Sequence, residues 1–555
     1  MRIMNSPVYY VCKYTPLELL SGFGLTAERL DPAPASFECA DSCGHPNLCG
    51  YGKAVLEEVI GQGIKAVILV DCCDVCRRIY DILKSCGDME FLFLLSLPHK
   101  NGHTESKLLE RELQRLCGTL ERYTRQRFCL SAALKAWEDT CSSEELAEIA
   151  EPHLCLTGAH GGRRLLGMIR SRFSLPVADD TCTGNRRLCR KEPATGSDEF
   201  FPDYAAALLG QESPCMRMQF RKEKDHPGAL GIICHTVKFC DYYGFQYRGL
   251  RGISDVPLLK IETDCTPQSG GQLKTRLDAF CETIQPRGIA MNNTHKTIRY
   301  AAGVDSGSAS TDAVIMDEAR NILGTAILPT GAGAAAGADR ALSAALTMAG
   351  LRREDLDAVV TTGYGRETVG VSDSSVTEIT CHARGAHFLY PEARTVIDIG
   401  GQDSKVIRID GNGNIENFVM NDKCAAGTGR FLEMMARTLE LTLPEMSELG
   451  LAWKNDVAIS SMCTVFAESE VVSLVADNTA PEDIIHGLNM SVAAKTAALV
   501  KRAGGEPAFV MTGGVAQNRG VVKALEEKLG IAVHVPKEAQ LCGALGAALI
   551  AMDGQ

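Results

Sequence analysis

Val304–Ile322, VDSGSASTDAVIMDEARNI, and Ile397–Ile415, IDIGGQDSKVIRIDGNGNI, are two copies of one pattern set 93 residues apart. Asp305 aligns with Asp398, Asp317 with Asp410, Asn321 with Asn414 and Ile322 with Ile415. Each copy reads as a strand, a tight turn of small residues, a second strand and a polar hairpin turn. Each also sets an aspartate at the end of its first strand, just ahead of a Gly/Ser-rich turn. Such turns expose backbone N–H groups that cradle phosphate, and an aspartate there holds hydrated Mg2+. Two of them facing one another clamp a triphosphate.

A third element completes the set. Phe509–Asn518, FVMTGGVAQN, is a buried strand running into Gly513-Gly514, with a helix expected from about Arg519. A glycine pair at that turn lets the backbone approach a flat nucleoside. No G-x-x-x-x-G-K-[ST] is present, so this is no P-loop ATPase. The stretch GAGAAAG at Gly331–Gly337 lacks G-x-G-x-x-G spacing and reads as a loop and helix start.

Asp305-Ser306-Gly307-Ser308, Asp398-Ile399-Gly400-Gly401-Gln402-Asp403 and Gly513-Gly514 together resemble the phosphate-1, phosphate-2 and adenosine motifs of the actin, sugar-kinase and Hsp70 ATPase superfamily. The resemblance covers residues 298–555 and implies a ribonuclease H-like ATPase domain with duplicated subdomains. It leaves kinase, chaperone and motor open.

The rest of the chain differs in texture. At roughly 150 residues per domain, 555 residues predict three to four domains. Apolar residues make up 45% and charged residues 23%, which excludes disordered, collagen and coiled-coil classes. A net charge of -12 argues against general nucleic-acid binding or an anionic-membrane role. No apolar run approaches the roughly 20 residues of a membrane span. The opening MRIMNSPVYYVCKY has no apolar signal core, so a cytoplasmic protein is expected.

Of 23 cysteines, 19 lie between Cys12 and Cys281; only Cys381, Cys424, Cys463 and Cys542 follow. Without a signal segment, that density points to metal or redox chemistry. It also divides the chain at a polar, Pro- and Gly-bearing stretch, QPRGIAMNNTHKT at residues 285–297. The expected domains are 1–290, with lobes about 1–175 and 176–290, and 298–555.

Cys424 in NDKCAAGTGRF and Cys463 in SMCTVFAESE each stand before a helical pattern. A thiolate at a helix N-terminus is stabilised by the dipole and free N–H groups, as is the negative charge of an iron–sulfur cluster. Two thiolates are half of a four-cysteine cluster site, which a homodimer would complete; two buried structural cysteines are the alternative. GGQDSK, NDKCAAGTGRF and TGGVAQN, in this order, closely resemble the activator component of 2-hydroxyacyl-CoA dehydratases and the ATPase subunits of benzoyl-CoA reductases. That resemblance implies a 4Fe-4S cluster bridging two chains through Cys424 and Cys463. It places Asp305, Asp398 and Gln402 in catalysis at phosphate and Mg2+. Ser306, Gly307, Ser308, Gly400, Gly401 and Asp403 would line ATP, with Gly513, Gly514, Gln517 and Asn518 near the nucleoside.

In the first half, strands are expected at Ala66–Val70, Glu90–Leu95, Ala229–Cys234 and Pro257–Glu262 with helices between, giving an α/β fold with parallel sheet. Cys49, Cys72, Cys73, Cys182, Cys234 and Cys240 sit at strand ends or helix starts, where such sheets place their sites. Cys73–Cys76 alone is a weak C-x-x-C, and zinc is the competing metal. Cys117, Cys129, Cys141 and Cys281 lie within helical patterns and read as packing residues. LCGYGKAVLEEV, DCCDVCRRIYDIL, DDTCTGNR, HTVKFCD and PLLKIETD resemble the D-component of 2-hydroxyacyl-CoA dehydratases and the double-cubane cluster proteins. By motif position the implied ligands are Cys49, Cys73 and Cys240, with Cys72 competing for the middle place. The implied cluster is 4Fe-4S or a double-cubane 8Fe-9S.

The combined expectation is an ATP-driven, low-potential, single-electron injector fused to its iron–sulfur acceptor. A ferredoxin or flavodoxin would be the donor and a small molecule or acyl-CoA the terminal substrate. The rivals are a complete 2-hydroxyacyl-CoA dehydratase, an activator acting on a separate dehydratase, and a small-molecule kinase with a zinc-bearing domain.

Overall fold

The computed structural model of the chain describes residues 6–86, 88–142, 152–184, 186–188, 197–211, 215–218, 228–267, 270–284, 299–370, 372–421, 425–459 and 463–554. It divides into two compact units, residues 1–277 and 278–555. The expected linker at 285–297 lies outside the described residues.

The first unit carries two four-stranded, wholly parallel sheets. One contains β1 (Val8–Tyr10), β2 (Ala27–Arg29), β3 (Ala66–Val70) and β4 (Phe91–Leu95) in the order β2-β1-β3-β4. The other contains β5 (His153–Gly158), β6 (Val177–Thr181), β7 (Ala229–Val237) and β8 (Leu258–Thr263) in the order β6-β5-β7-β8. The central strands β3, AVILV, and β5, HLCLTG, are buried throughout, as strands covered by helices on both faces must be. The lobe division differs from the expected one. Leu154 pairs with Val177, so residue 175 falls in the connection between two paired strands of the second sheet. Helix Gly162–Arg170 is the crossover between those strands, and its polar end with Ser174 and Pro176 has the composition of a domain linker.

The second unit contains two five-stranded sheets of one topology. β9 (Tyr300–Ser306), β10 (Ser310–Asp317), β11 (Ile322–Pro329), β12 (Ala358–Thr362) and β13 (Ser374–Ser375) run β11-β10-β9-β12-β13. β14 (Thr395–Ile399), β15 (Ser404–Ile409), β16 (Ile415–Asn421), β17 (Phe509–Thr512) and β18 (Val533–His534) run β16-β15-β14-β17-β18. In both, the first three strands are an antiparallel meander and the fourth joins in parallel.

The likeness reaches single hydrogen bonds. The register shifts at Ile315/Met316 in one sheet and at Arg408/Ile409 in the other. Asp317 Oδ1 accepts from the N–H groups of Ala319 and Asn321; Asp410 Oδ1 accepts from those of Asn412 and Asn414. Such side chains fix a hairpin turn by satisfying its free N–H groups. Helix Cys542–Met552 closes the unit. It lies so tightly on β9 that a Cβ at Gly303 would strike the Ala544 carbonyl. One at Gly546 would strike that of Cys381 in helix Glu378–Leu389. This is a mixed α/β fold, and the second unit is built of two subdomains that repeat one sheet topology.

No helix among the described residues is long and apolar enough to cross a membrane.

Candidate functional site: a nucleotide cleft and clustered thiols

The two hairpins of the second unit face a cleft of about 620 Å³. Its lining includes Asp305, Gly307, Ser308, Gly400, Gly401, Asp403, Gly513, Gly514, Gln517 and Asn518. Gly513 sits at φ +85°, and a Cβ there would meet the Ile399 carbonyl at 2.5 Å and Asp398 Oδ1 at 2.7 Å. Only glycine allows that turn so close to the aspartate. Asn518 Oδ1 accepts from Val521 N at 3.0 Å, capping helix Arg519–Leu529, while its Nδ2 is buried without a partner.

Charge at the cleft floor is strongly acidic. Asp305, Asp312, Glu378, Asp398 and Asp403 face it, against the buried ammonium of Lys405. Lys405 Nζ lies 2.8 Å from Asp403, 3.2 Å from Asp398 and 3.6 Å from Glu378. Burial, joined by the charge of Asp312, pushes Asp305 up to about 7. Burial pushes Asp312 to about 7 and Glu378 to about 8. Asp398 is instead held low: His382 and Lys405 overcome its burial. His382 stands between the two aspartates, Nε2 3.9 Å from Asp305 and Nδ1 3.5 Å from Asp398. Buried carboxylates that outnumber their cations either hold protons or take up an added cation, so the donor set fits Mg2+.

Two residues expected at the nucleotide sit elsewhere. Ser306 follows Asp305 on an extended strand, so its side chain takes the opposite face; a Cβ at Gly365 would strike its Oγ. Gln402 is exposed and is absent from the cleft lining. Lys405, Asp312, Glu378 and His382 were not anticipated. Lys405 ends the quoted GGQDSK, but Glu378 and His382 come from a helix with no motif of its own.

Cys463 is the N-cap of helix Thr464–Ala476 and is exposed. The same helix exposes Val465 by 64% and Phe466 by 66%, an apolar surface beside the thiol. Cys424 lies outside the described residues.

In the first unit, Cys49, Cys73 and Cys240 are N-caps of helices Gly50–Gly61, Asp74–Ser85 and Asp241–Ile253. Gly50 N donates to the Lys238 carbonyl at 3.2 Å, which brings the first of these helix starts to the loop before the third. A Cβ at Gly52 would meet Val75 at 2.5 Å, which brings it to the second. The thiols feel one another: burial first, then Cys240 and Cys73, push Cys49 up to about 11. Thiols so raised lose their protons when a metal binds, as thiolate ligation requires. Among the described residues, three thiols lie within 4.8 Å of one another: Cys72, Cys73 and Cys76. The C-x-x-C therefore marks a real convergence, and the doubled cysteine was its signal. Arg217 adds a guanidinium beside Cys72 that no sequence pattern flagged.

A pocket of about 90 Å³ in this unit is lined by Arg29, Tyr51, His160, Arg164, His235 and Cys265, among others. His160 stacks on Tyr51 at 3.5 Å, and burial depresses it to about 3, so the imidazole is neutral.

Comparison with known proteins gives these features their context. Residues 302–551 match the BadF/BadG/BcrA/BcrD ATPase family. The 2-hydroxyisocaproyl-CoA dehydratase activator of Clostridioides difficile is 47% identical over 254 residues, 46% of this chain and 95% of that protein.

The chain belongs to the BadF/BadG/BcrA/BcrD ATPase family.

The activator of lactoyl-CoA dehydratase of Anaerotignum propionicum is 50% identical to this family member over 254 residues, 46% of this chain and 98% of that protein. The crystal structure of component A of the Acidaminococcus fermentans (R)-2-hydroxyglutaryl-CoA dehydratase is 47% identical, covering 46% of this chain and 98% of that one, with a TM-score of 0.45. This BadF/BadG/BcrA/BcrD ATPase is therefore an enzyme whose relatives include dehydratase activators. It also carries a second module, for residues 12–147 and 131–284 match the 2-hydroxyglutaryl-CoA dehydratase D-component.

Proposed function

We propose that this chain is an ATP-driven single-electron injector joined to its own iron–sulfur acceptor. The nucleotide domain comprises residues 298–555 and the acceptor domain residues 1–290, each named by its share of the motifs. Two chains form a homodimer through Cys424 and Cys463, whose four thiolates hold one 4Fe-4S cluster. Cys49, Cys73 and Cys240 hold the second cluster, 4Fe-4S or double-cubane. Bound clusters supply one-electron storage at low potential.

The observation that carries this reading is the placement of thiols. Cys49, Cys73, Cys240 and Cys463 all cap helix N-termini, in a chain that also has a nucleotide cleft. Free N–H groups at those ends offset the negative charge of a thiolate-ligated cluster. Asp305 orients Mg2+ and Asp398 orients water at the triphosphate, Gly307 and Ser308 with Gly400, Gly401 and Asp403 lie along the phosphates, and Gln517 and Asn518 flank the nucleoside. Hydrolysis supplies the driving force that moves an electron to a potential below that of its donor. For one electron, each tenfold in equilibrium corresponds to about 59 mV. A ferredoxin or flavodoxin recharges the bridging site in an anaerobic cytoplasm. The terminal substrate is a small molecule or an acyl-CoA.

Stopped-flow absorbance of the anaerobic chain tests the coupling. Bleaching of the acceptor by a mild donor is expected with ATP and Mg2+, and not with a non-hydrolysable analogue. Equal bleaching without nucleotide would remove the injector reading. A second reading, an activator acting on a separate dehydratase, is favoured by the names of the relatives that match the ATPase half. Turnover of a 2-hydroxyacyl-CoA only when a dehydratase is added would select it.

A further inference from the structure

The two hairpins of the nucleotide cleft share a fold but not a charge. Asp305 on β9 pairs across the strands with Asp312 on β10. Asp398 on β14 pairs with Lys405 on β15. The offset that relates Asp305 to Asp398 also relates Asp312 to Lys405. The flanking positions are equivalent too: Thr362 pairs with Asp305 and Thr512 with Asp398. Gly363 and Gly513 follow at φ +84° and +85°, each with its would-be Cβ against the aspartate, at 2.5 Å and 2.7 Å from Oδ1. The same place in two copies of one scaffold therefore holds a carboxylate once and an ammonium once.

The consequences for solvation are unequal. Lys405 is 3% exposed and ion-paired with three carboxylates, so the second half has a cation of its own beside Asp398. Asp312 is 5% exposed and lines the cleft. Its Oδ1 has no partner, and Oδ2 has only the Ser310 hydroxyl at 3.4 Å. A buried carboxylate left in this state is costly unless it keeps a proton or a cation joins it.

We infer that the metal ion accompanying the nucleotide is held on the first half of the cleft, by Asp305 together with Asp312, and that Lys405 takes the corresponding cation's place on the second half. The inference rests on the ATPase reading of the cleft and adds a division of labour to it. Asp312 is a cation-holding residue. Lys405 is a positioning residue that keeps Asp398 ionised and metal-free, available to water and phosphate. His382, between the two aspartates, marks the boundary between the halves.

Mn2+ in place of Mg2+ gives the test, titrated into the anaerobic full-length chain with ADP and followed by the EPR signal of free ion. Wild type should hold one tight Mn2+ per nucleotide in this cleft. Asp312→Asn should weaken that Mn2+ about tenfold or more, while ADP binding in EDTA stays within about twofold. Lys405→Gln should do the reverse: Mn2+ affinity is retained, and metal-free ADP binding falls about tenfold because the carboxylates now face the phosphates. Unchanged Mn2+ affinity in Asp312→Asn overturns the inference. If that variant does not fold, Lys405→Gln decides alone, because a loss of Mn2+ affinity there puts the ion on the second half. No ADP binding by wild type, with or without metal, would instead count against the ATPase reading.

Discussion

Arg217 Nη1 lies 3.6 Å from Sγ of Cys72, with its guanidinium 4.8 Å above the ring of Tyr242 and 5.6 Å from that of Tyr243. Burial opposes its charge, yet Cys72, Tyr243, Cys215 and Cys73 hold its pKa far above the usual arginine value. A fixed positive charge therefore stands among the thiols of the first unit. It favours an electron-richer neighbour.

Arg217→Met should accordingly lower the midpoint potential of the acceptor cluster. A shift of tens of millivolts is expected, on the scale of about 59 mV per tenfold. An EPR-monitored redox titration of iron-replete protein measures it. An unchanged potential would mean that the guanidinium serves the apoprotein alone.

The exposed Cys463, beside exposed Val465 and Phe466, predicts loss of the bridging centre on mutation. Cys463→Ala and Cys424→Ala should each remove about one cluster per dimer and leave ADP affinity within a factor of about two. Iron and sulfide content per chain, read beside calorimetric ADP binding, checks this. A monomer retaining a full 4Fe-4S centre in residues 298–555 would refute the shared-site geometry.

Asp305→Ala and Asp398→Ala should each abolish phosphate release, by at least about a hundredfold, because each removes a carboxylate that lines the nucleotide cleft. Phosphate release is the readout. Transfer to a small acceptor in preference to water would favour a kinase.

Stability of the nucleotide-free protein should fall as pH rises from about 4 to about 8. Asp305 and Asp312 at about 7 and Glu378 at about 8 keep their protons in the folded state after the unfolded chain has released them near 4. The folded state then binds more protons than the unfolded one, and stability declines with pH across that window. Mg2+ with ADP should flatten the decline by compensating the carboxylates. Thermal melts of the nucleotide unit's transition, between pH 5 and 8, with and without Mg2+ and ADP, measure both slopes.

The nucleotide fold was legible because duplication leaves identities at fixed spacing, and hairpin turns depend on local residues such as Asp317 and Asp410. What the repeat hid was its own asymmetry: Asp312 and Lys405 share no chemistry, so alignment by identity passes over them. Ser306 was misplaced because a motif gives spacing while a strand alternates faces. Glu378 and His382 reach the cleft through helix packing, and Arg217 reaches Cys72 across 145 residues of chain. Neither distance leaves a local signal. In the first unit, β1 and β2 have three residues each, too short for periodicity to mark.

Helix Cys542–Met552 lies against β9 and helix Glu378–Leu389, with glycines at each contact. Asp553 beyond it receives both Arg320 and Arg384. During synthesis, therefore, the first sheet of the nucleotide unit emerges well before the helix that covers it. The cysteine-rich unit is by then complete and can fold, as N-terminal domains do at the ribosome. The nucleotide cleft, in contrast, draws its lining from residues as late as Gln540, and the helix behind it comes later still. A nascent chain thus presents the clustered Cys72, Cys73 and Cys76 thiols well before the last helix of its nucleotide unit exists.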